Sequence, residues 1–183
     1  MNDMMLSDKD IRKAIESGEV RIDPFSSDAV GPCSIDLHLD SQFRVYNPGV
    51  PVDIKSRRSV DKDTRLLDTE GEPFMILPGQ FVLGQTQEHV AISPKYAGLL
   101  EGRSSVARLG IIVHAAGLVN PGTGMKEPGR LTLEIYCENL SPVLLYPGMG
   151  IVQIMFVPLS SPAEIGYDSR KSSRYVGQEE PSI

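Results

Sequence analysis

Five Pro-Gly pairs divide the chain, at Pro48-Gly49, Pro78-Gly79, Pro121-Gly122, Pro128-Gly129 and Pro147-Gly148. Proline presets φ at the first central position of a type II turn and glycine supplies the positive φ of the second. Each pair therefore reads as a sharp reversal. The apolar runs between them are short and strand-like. "SIDLHLDSQFRVY" alternates Ile35, Leu37 and Leu39 against Asp36 and His38, and "GQFVLGQTQEHVAIS" supplies short Val- and Phe-rich pieces. One segment has a different period: "LSDKDIRKAIESGE" places Ser7 as N-cap, Asp10 three residues on, Ile11, Ala14 and Ile15 on one face, and Gly18 as the stop. The pattern predicts a mainly β domain with one N-terminal helix, a sandwich, jelly roll or barrel rather than an open sheet.

At 183 residues the chain can bury one substantial core, and a single domain over 1–183 is expected. Residues 51–72 are charged and carry little alternation, which reads as a surface excursion. The tail from Gly166 has few apolar residues but gathers Tyr167, Arg170, Lys171, Arg174, Tyr175 and Gln178. Such a composition suits a disordered terminus, or a flap over about 166–183 that orders on an anionic ligand.

A formal net charge of −6 and an isoelectric point near 5.1 argue against a broad nucleic-acid surface, because neutralising a phosphate backbone needs a basic stripe. A local anion site is still compatible with that total. Cys33 and Cys137 have neither CxxC nor His spacing, so no zinc site or disulfide framework is expected. There is no export-type leader and no apolar run near the length of a bilayer span; the expectation is a cytoplasmic protein without a membrane partner.

Three segments could carry chemistry. In "EGRSSVARLG", Ser104 or Ser105 could cap a short helix through Val106 and Ala107 with Arg103 and Arg108 solvated. Alternatively, a Gly-led turn, paired hydroxyls and arginine forks could hold phosphate. It is not a Walker motif, since the GK[ST] ending is absent. In "RLTLEIYCEN", alternation puts Leu131, Leu133 and Ile135 on one face and Thr132, Glu134 and Tyr136 on the other. Glu134 is then a solvent-facing strand residue, or a partly desolvated carboxylate able to move protons if that face lines a cavity. In "VHAAGLVNPG", Ala115, Ala116 and Gly117 allow close backbone approach of a ligand, although a hairpin explains the same letters. His114, His38 and His89 show no metal spacing, and the H-x-E with P-C-x-x-C signature of zinc deaminases is missing.

Taken in order, "SIDLHL", "EGRSSVARLGIIVHAAG", "LTLEIYCEN", "YPGMGIVQIMF" and "GYDSRKSSRYVGQ" resemble the dCTP deaminase and dUTPase superfamily, most closely its dCTP deaminase branch. The resemblance implies a distorted double-stranded β-helix or jelly-roll core, dUTPase-like, in a homotrimer with active sites between subunits. It implies zinc-independent hydrolysis of dCTP to dUTP and ammonia, with magnesium accompanying the triphosphate. Glu134 matches the general base and acid, with Arg108 and Ser104 beside it in catalysis. Arg103, Ser104, Ser105, Val106, Ala107 and Arg108 match the triphosphate segment. Ala116 matches a backbone water contact, Asn120 a sugar contact, and Thr132 and Leu133 the strand beside the base. Tyr167, Arg174 and Gln178 match tail positions that close over the nucleotide.

Two features depart from the family pattern. Asn120 stands where an aspartate is expected, and an amide cannot act as a base at neutral pH, which argues against pyrophosphatase activity. The turn "TGMKEPGR", residues 123–130, is several residues longer than its family counterpart and lies beside the expected pocket. The alternatives are a dUTP pyrophosphatase or a bifunctional enzyme giving dUMP, and a noncatalytic nucleotide-binding jelly roll.

Overall fold

A computed structural model of the chain describes residues 5–49, 51–52, 63–114 and 116–183, apart from the side chain of His114. The helix expected from the opening pattern is α1 (Asp8–Glu16), which buries Ile11 and Ala14, and Gly18 follows it at φ +74. Ser7 occupies the N-cap, but its hydroxyl donates to the Asp10 carboxylate at 3.1 Å rather than accepting from a backbone amide.

Strands β1 (Val20–Asp23), β2 (Ile35–His38), β3 (Gln42–Tyr46), β4 (Thr64–Asp68), β5 (Phe74–Ile76), β6 (Phe81–Ile92) and β7 (Tyr96–Gly102) precede a single-turn helix, α2 (Ser104–Ala107). After it come β8 (Ile111–His114), β9 (Leu118–Val119), β10 (Gly129–Cys137), β11 (Val143–Leu145) and β12 (Gly150–Pro158). One antiparallel sheet runs β4-β3-β6-β10-β8 with β1 also on β6, and a second runs β2-β12-β7-β9. β5 and β11 form a separate ribbon. Both sheets feed one apolar core: Ile35, Leu37, Ile154 and Phe156 from the second join Phe43, Val82, Leu133 and Ile135 from the first. Each of the larger side chains contributes about 1.5–3 kcal/mol by leaving water.

Three expectations change. The pieces expected within "GQFVLGQTQEHVAIS" are one 12-residue strand, β6, whose residues Val82 to Thr86 are all buried. A strand covered on both faces loses its alternation, which is why it read as fragments. The 51–72 excursion contains β4, an edge strand paired with β3 and largely exposed, so it never needed an apolar face; residues 53–62 lie outside the described residues. Of the five Pro-Gly pairs, Gly49, Gly79, Gly122 and Gly148 take φ between +72 and +82, as type II turns require, but Gly129 does not and instead opens β10. A side chain there would come within 2.7 Å of the Gln178 backbone nitrogen, so this glycine serves close approach of the tail.

Candidate active site

β10 pairs with β6 on one side and β8 on the other, with Glu134 opposite Leu83 and His114. Alternation buries Leu133, Ile135 and Cys137 in the core and turns Thr132, Glu134 and Tyr136 to the opposite face. The register shifts between Arg130 and Thr132, and this bulge brings Leu131 to the cavity side despite its place in the alternation.

Over the Glu134 face lies a cavity of about 480 Å³. Its floor is Arg130, Leu131, Thr132 and Glu134 of β10, with Leu83 and Phe81 of β6 and Tyr46 of β3. The segment from Ala116 to Asn120 forms one wall, Thr123, Gly124 and Glu127 another, and Tyr167, Tyr175 and Gln178 reach in from the tail. The volume falls in the range of small-molecule sites. Oε2 of Glu134 is buried. Tyr46 lies close enough to feel that carboxylate: its phenol is held above the ordinary value, chiefly by burial and next by the negative charge of Glu134.

The tail is folded onto this cavity. Gln178 donates its amide to the Thr132 hydroxyl and accepts from the Arg130 backbone N–H at 2.8 Å. Further on, Arg44 Nε donates to the Pro181 carbonyl at 2.6 Å, and Gln85 Nε2 donates to the Glu179 carbonyl at 3.0 Å. Arg130, the one basic residue among the described lining residues, is paired with Asp40, with Glu179 at 3.8 Å. With Glu127 and Glu134 also on the lining, the described lining residues offer no cation free of a carboxylate partner.

The expected site residues thus divide between the cavity, the arginine-serine segment and two positions outside both. Ala116, Asn120, Thr132, Glu134, Tyr167 and Gln178 come together at the cavity. Arg103, Ser104, Ser105, Val106, Ala107 and Arg108 do not: they sit at the end of β7 and on α2, with Val106 buried as an anchor and both serines, Ala107 and Arg108 exposed. Arg103 lies 3.2 Å from the Asp36 carboxylate. Leu133 faces the core, and Arg174 is exposed off the lining while its neighbour Tyr175 is on it. Ala115 lies outside the described residues. The Ala116 carbonyl already accepts from the Leu118 N–H, which leaves it a second lone pair.

Tyr46 and Phe81 were not anticipated, and Glu127 and Arg130 were anticipated only as part of the 123–130 turn beside the pocket. Tyr46 and Phe81 are ordinary strand residues until β3, β6 and β10 are known to be neighbours, and no local signal marks them. Among the described residues there is no cluster of three or more His, Cys, Asp or Glu able to hold a metal ion, and no helix long and apolar enough to cross a membrane. Cys33 is exposed and Cys137 buried, both as free thiols.

Comparison with known proteins gives this geometry a context. The profile of the dCTP deaminase-like family matches residues 5–159. The chain is 47% identical over 183 residues to a protein of Streptomyces coelicolor and 42% identical over 182 residues to one of Corynebacterium diphtheriae, each named "dCTP deaminase, dUMP-forming". These alignments cover 98% of this chain and 93% and 95% of the two relatives. Among solved structures, a 2'-deoxycytidine 5'-triphosphate deaminase from Agrobacterium tumefaciens superposes with a TM-score of 0.64 at 23% identity, over 85% of this chain and 48% of that longer one. That likeness is one of fold.

Proposed function

The chain belongs to the dCTP deaminase-like family, and on that premise we propose that it hydrolyses the 4-amino group of dCTP, releasing ammonia and leaving a uracil nucleotide. The observation that carries the reading is Glu134, a carboxylate with a buried oxygen on the polar face of β10, inside a cavity with room for a nucleoside. C4 of cytosine is a poor electrophile until N3 is protonated, and water is a poor nucleophile until it loses a proton. Glu134 accepts the proton of water as oxygen bonds to C4, and delivers it to N3. It then assists proton transfer to the 4-amino group as the C4–N bond breaks, so that ammonia departs and the carbonyl of uracil remains. This chemistry needs no zinc.

Thr132, Asn120 and Gln178 supply hydrogen bonds to base and sugar, and Tyr167 closes the tail side. Among the described lining residues Arg130, the one cation, is already paired with Asp40, which supports placing the triphosphate elsewhere. Arg103, Ser104 and Ser105 hold it from a second copy of the chain, with Arg108 and Ser104 orienting the water, in a homotrimer whose sites are shared between subunits. Arg174, exposed beside Tyr175, is free to reach phosphate as well. Magnesium accompanies the triphosphate as counter-charge; with no acidic cluster among the described residues, phosphate oxygens and water supply its ligands.

A second reading carries the reaction on to dUMP, and the names of the relatives favour it. Asn120 opposes it, because its amide cannot activate water for attack on phosphate. Incubation with dCTP, dUTP and CTP in parallel, followed by chromatography and ammonia and pyrophosphate assays, separates the readings. dUTP with ammonia supports deamination alone; dUMP with ammonia and pyrophosphate supports the bifunctional enzyme. Unchanged dCTP contradicts both and leaves a nucleotide-binding jelly roll.

A further inference from the structure

We propose that the 123–130 turn is a clasp that holds the C-terminal tail over its own chain's cavity before any nucleotide binds, with Asp168 as the positioning residue. The proposal rests on the nucleotide site argued above. Asp168 grips the turn with both carboxylate oxygens: Oδ1 accepts from the Gly124 N–H at 3.0 Å and Oδ2 from the Lys126 N–H at 2.9 Å. Lys126 Nζ returns a bond to the Asp168 carbonyl at 3.4 Å. One residue earlier, the Tyr167 N–H donates to the Pro121 carbonyl at 2.8 Å. The turn is itself fixed from behind, because Arg21 of β1 donates to the Gly124 and Met125 carbonyls at 3.2 and 3.1 Å.

A second grip lies nine residues downstream. Gly177, at φ +64, lies so close to Glu127 that a side chain there would meet its Cγ at 2.7 Å, and the next residue, Gln178, accepts from the Arg130 N–H. The tail is thus tied at Tyr167–Asp168 and at Gly177–Gln178, which are the positions that carry the cavity groups Tyr167 and Gln178. Charge-assisted bonds to backbone amides are among the stronger ones available at a surface, and a carboxylate holding two donors of one turn also fixes direction. A tail closed in advance spares the nucleotide the cost of ordering it, so apparent affinity is not reduced by a small closed fraction.

Hydrogen–deuterium exchange on the full chain, without nucleotide, tests the clasp directly. The amides of Gly124, Lys126, Tyr167 and Arg130 are expected to be protected in the natural protein and to exchange faster in Asp168→Asn, where one acceptor oxygen becomes a donor. Gly177→Ala loosens Arg130 by the second grip. In turnover, Asp168→Asn is expected to raise KM for dCTP about tenfold while leaving kcat within about twofold, since the closed state is still reached at saturation. Equal exchange at these four amides in the natural protein and Asp168→Asn overturns the clasp, as does a fall in kcat at unchanged KM. Protected amides in a chain that releases no ammonia would leave the clasp standing and remove the deaminase reading; rapid exchange in an active enzyme would do the reverse.

Discussion

Glu134 and Tyr46 sit on neighbouring parts of one polar surface, yet only the first could be found from the sequence. Alternation along "LTLEIYC" separates Glu134 from its aliphatic neighbours, and burial of Leu133, Ile135 and Cys137 follows that pattern. Nothing local distinguishes Tyr46, since its place at the cavity depends on β3 lying against β6, two strands from anything near it in the chain order of the motif. Their proximity makes a titration prediction. The Tyr46 phenol is raised above 10.0, first by burial and second by the Glu134 charge. Glu134→Gln should therefore lower the Tyr46 transition without returning it fully to that value, as read in phenolate absorbance by difference against Tyr46→Phe. The native state holds this proton more tightly than the unfolded chain, so the associated stability is fully present below pH 10.0 and is lost as pH rises through the folded value. Tyr46→Phe should flatten that alkaline loss in urea unfolding measured across the same range.

At the scale of elements, turn chemistry was the most legible feature and strand length the least. Pro-Gly pairs marked four reversals, because the proline presets the first turn position and the glycine takes the positive φ of the second without strain. The fifth pair failed because Gly129 answers a different need, the passage of Gln178, and the residue responsible lies far along the chain. β6 and β4 were misread for opposite reasons, one buried on both faces and the other exposed at an edge, so neither shows period 2. The glycines accordingly separate into two mechanical kinds. Gly148→Ala meets no close neighbour and carries only left-handed backbone strain, costing about 1–2 kcal/mol. Gly98→Val crowds Ile92, Ile154 and Val119, where even a β-carbon would sit 2.7–3.1 Å away, and about 1–3 kcal/mol of overpacking is expected. Urea midpoints measure both, and adding Ile92→Val should recover part of the loss at Gly98 but none at Gly148.

For the whole molecule, the separation of the cavity from the exposed arginine-serine segment was invisible in the linear motif order, although the family resemblance implied sites between subunits. "GRSSVAR" and "TLEIY" read as one site through the family resemblance, whereas within this chain β7 and β10 belong to different sheets and present their groups at different places. In the proposed trimer a shared site would reunite them across a subunit boundary, and subunit mixing tests this. Arg108→Ala and Glu134→Gln should each be inactive alone, while co-folded equal mixtures regain about a quarter of the natural activity, the share of sites that draw an intact residue from each partner in a cyclic trimer. No regain on mixing would place both residues in one chain's own site. The most direct measurement of the central claim is ammonia release from dCTP by Glu134→Gln alone. The account predicts a loss of about 10²–10⁴-fold with nucleotide binding retained, and a rate within tenfold of the natural protein would contradict it.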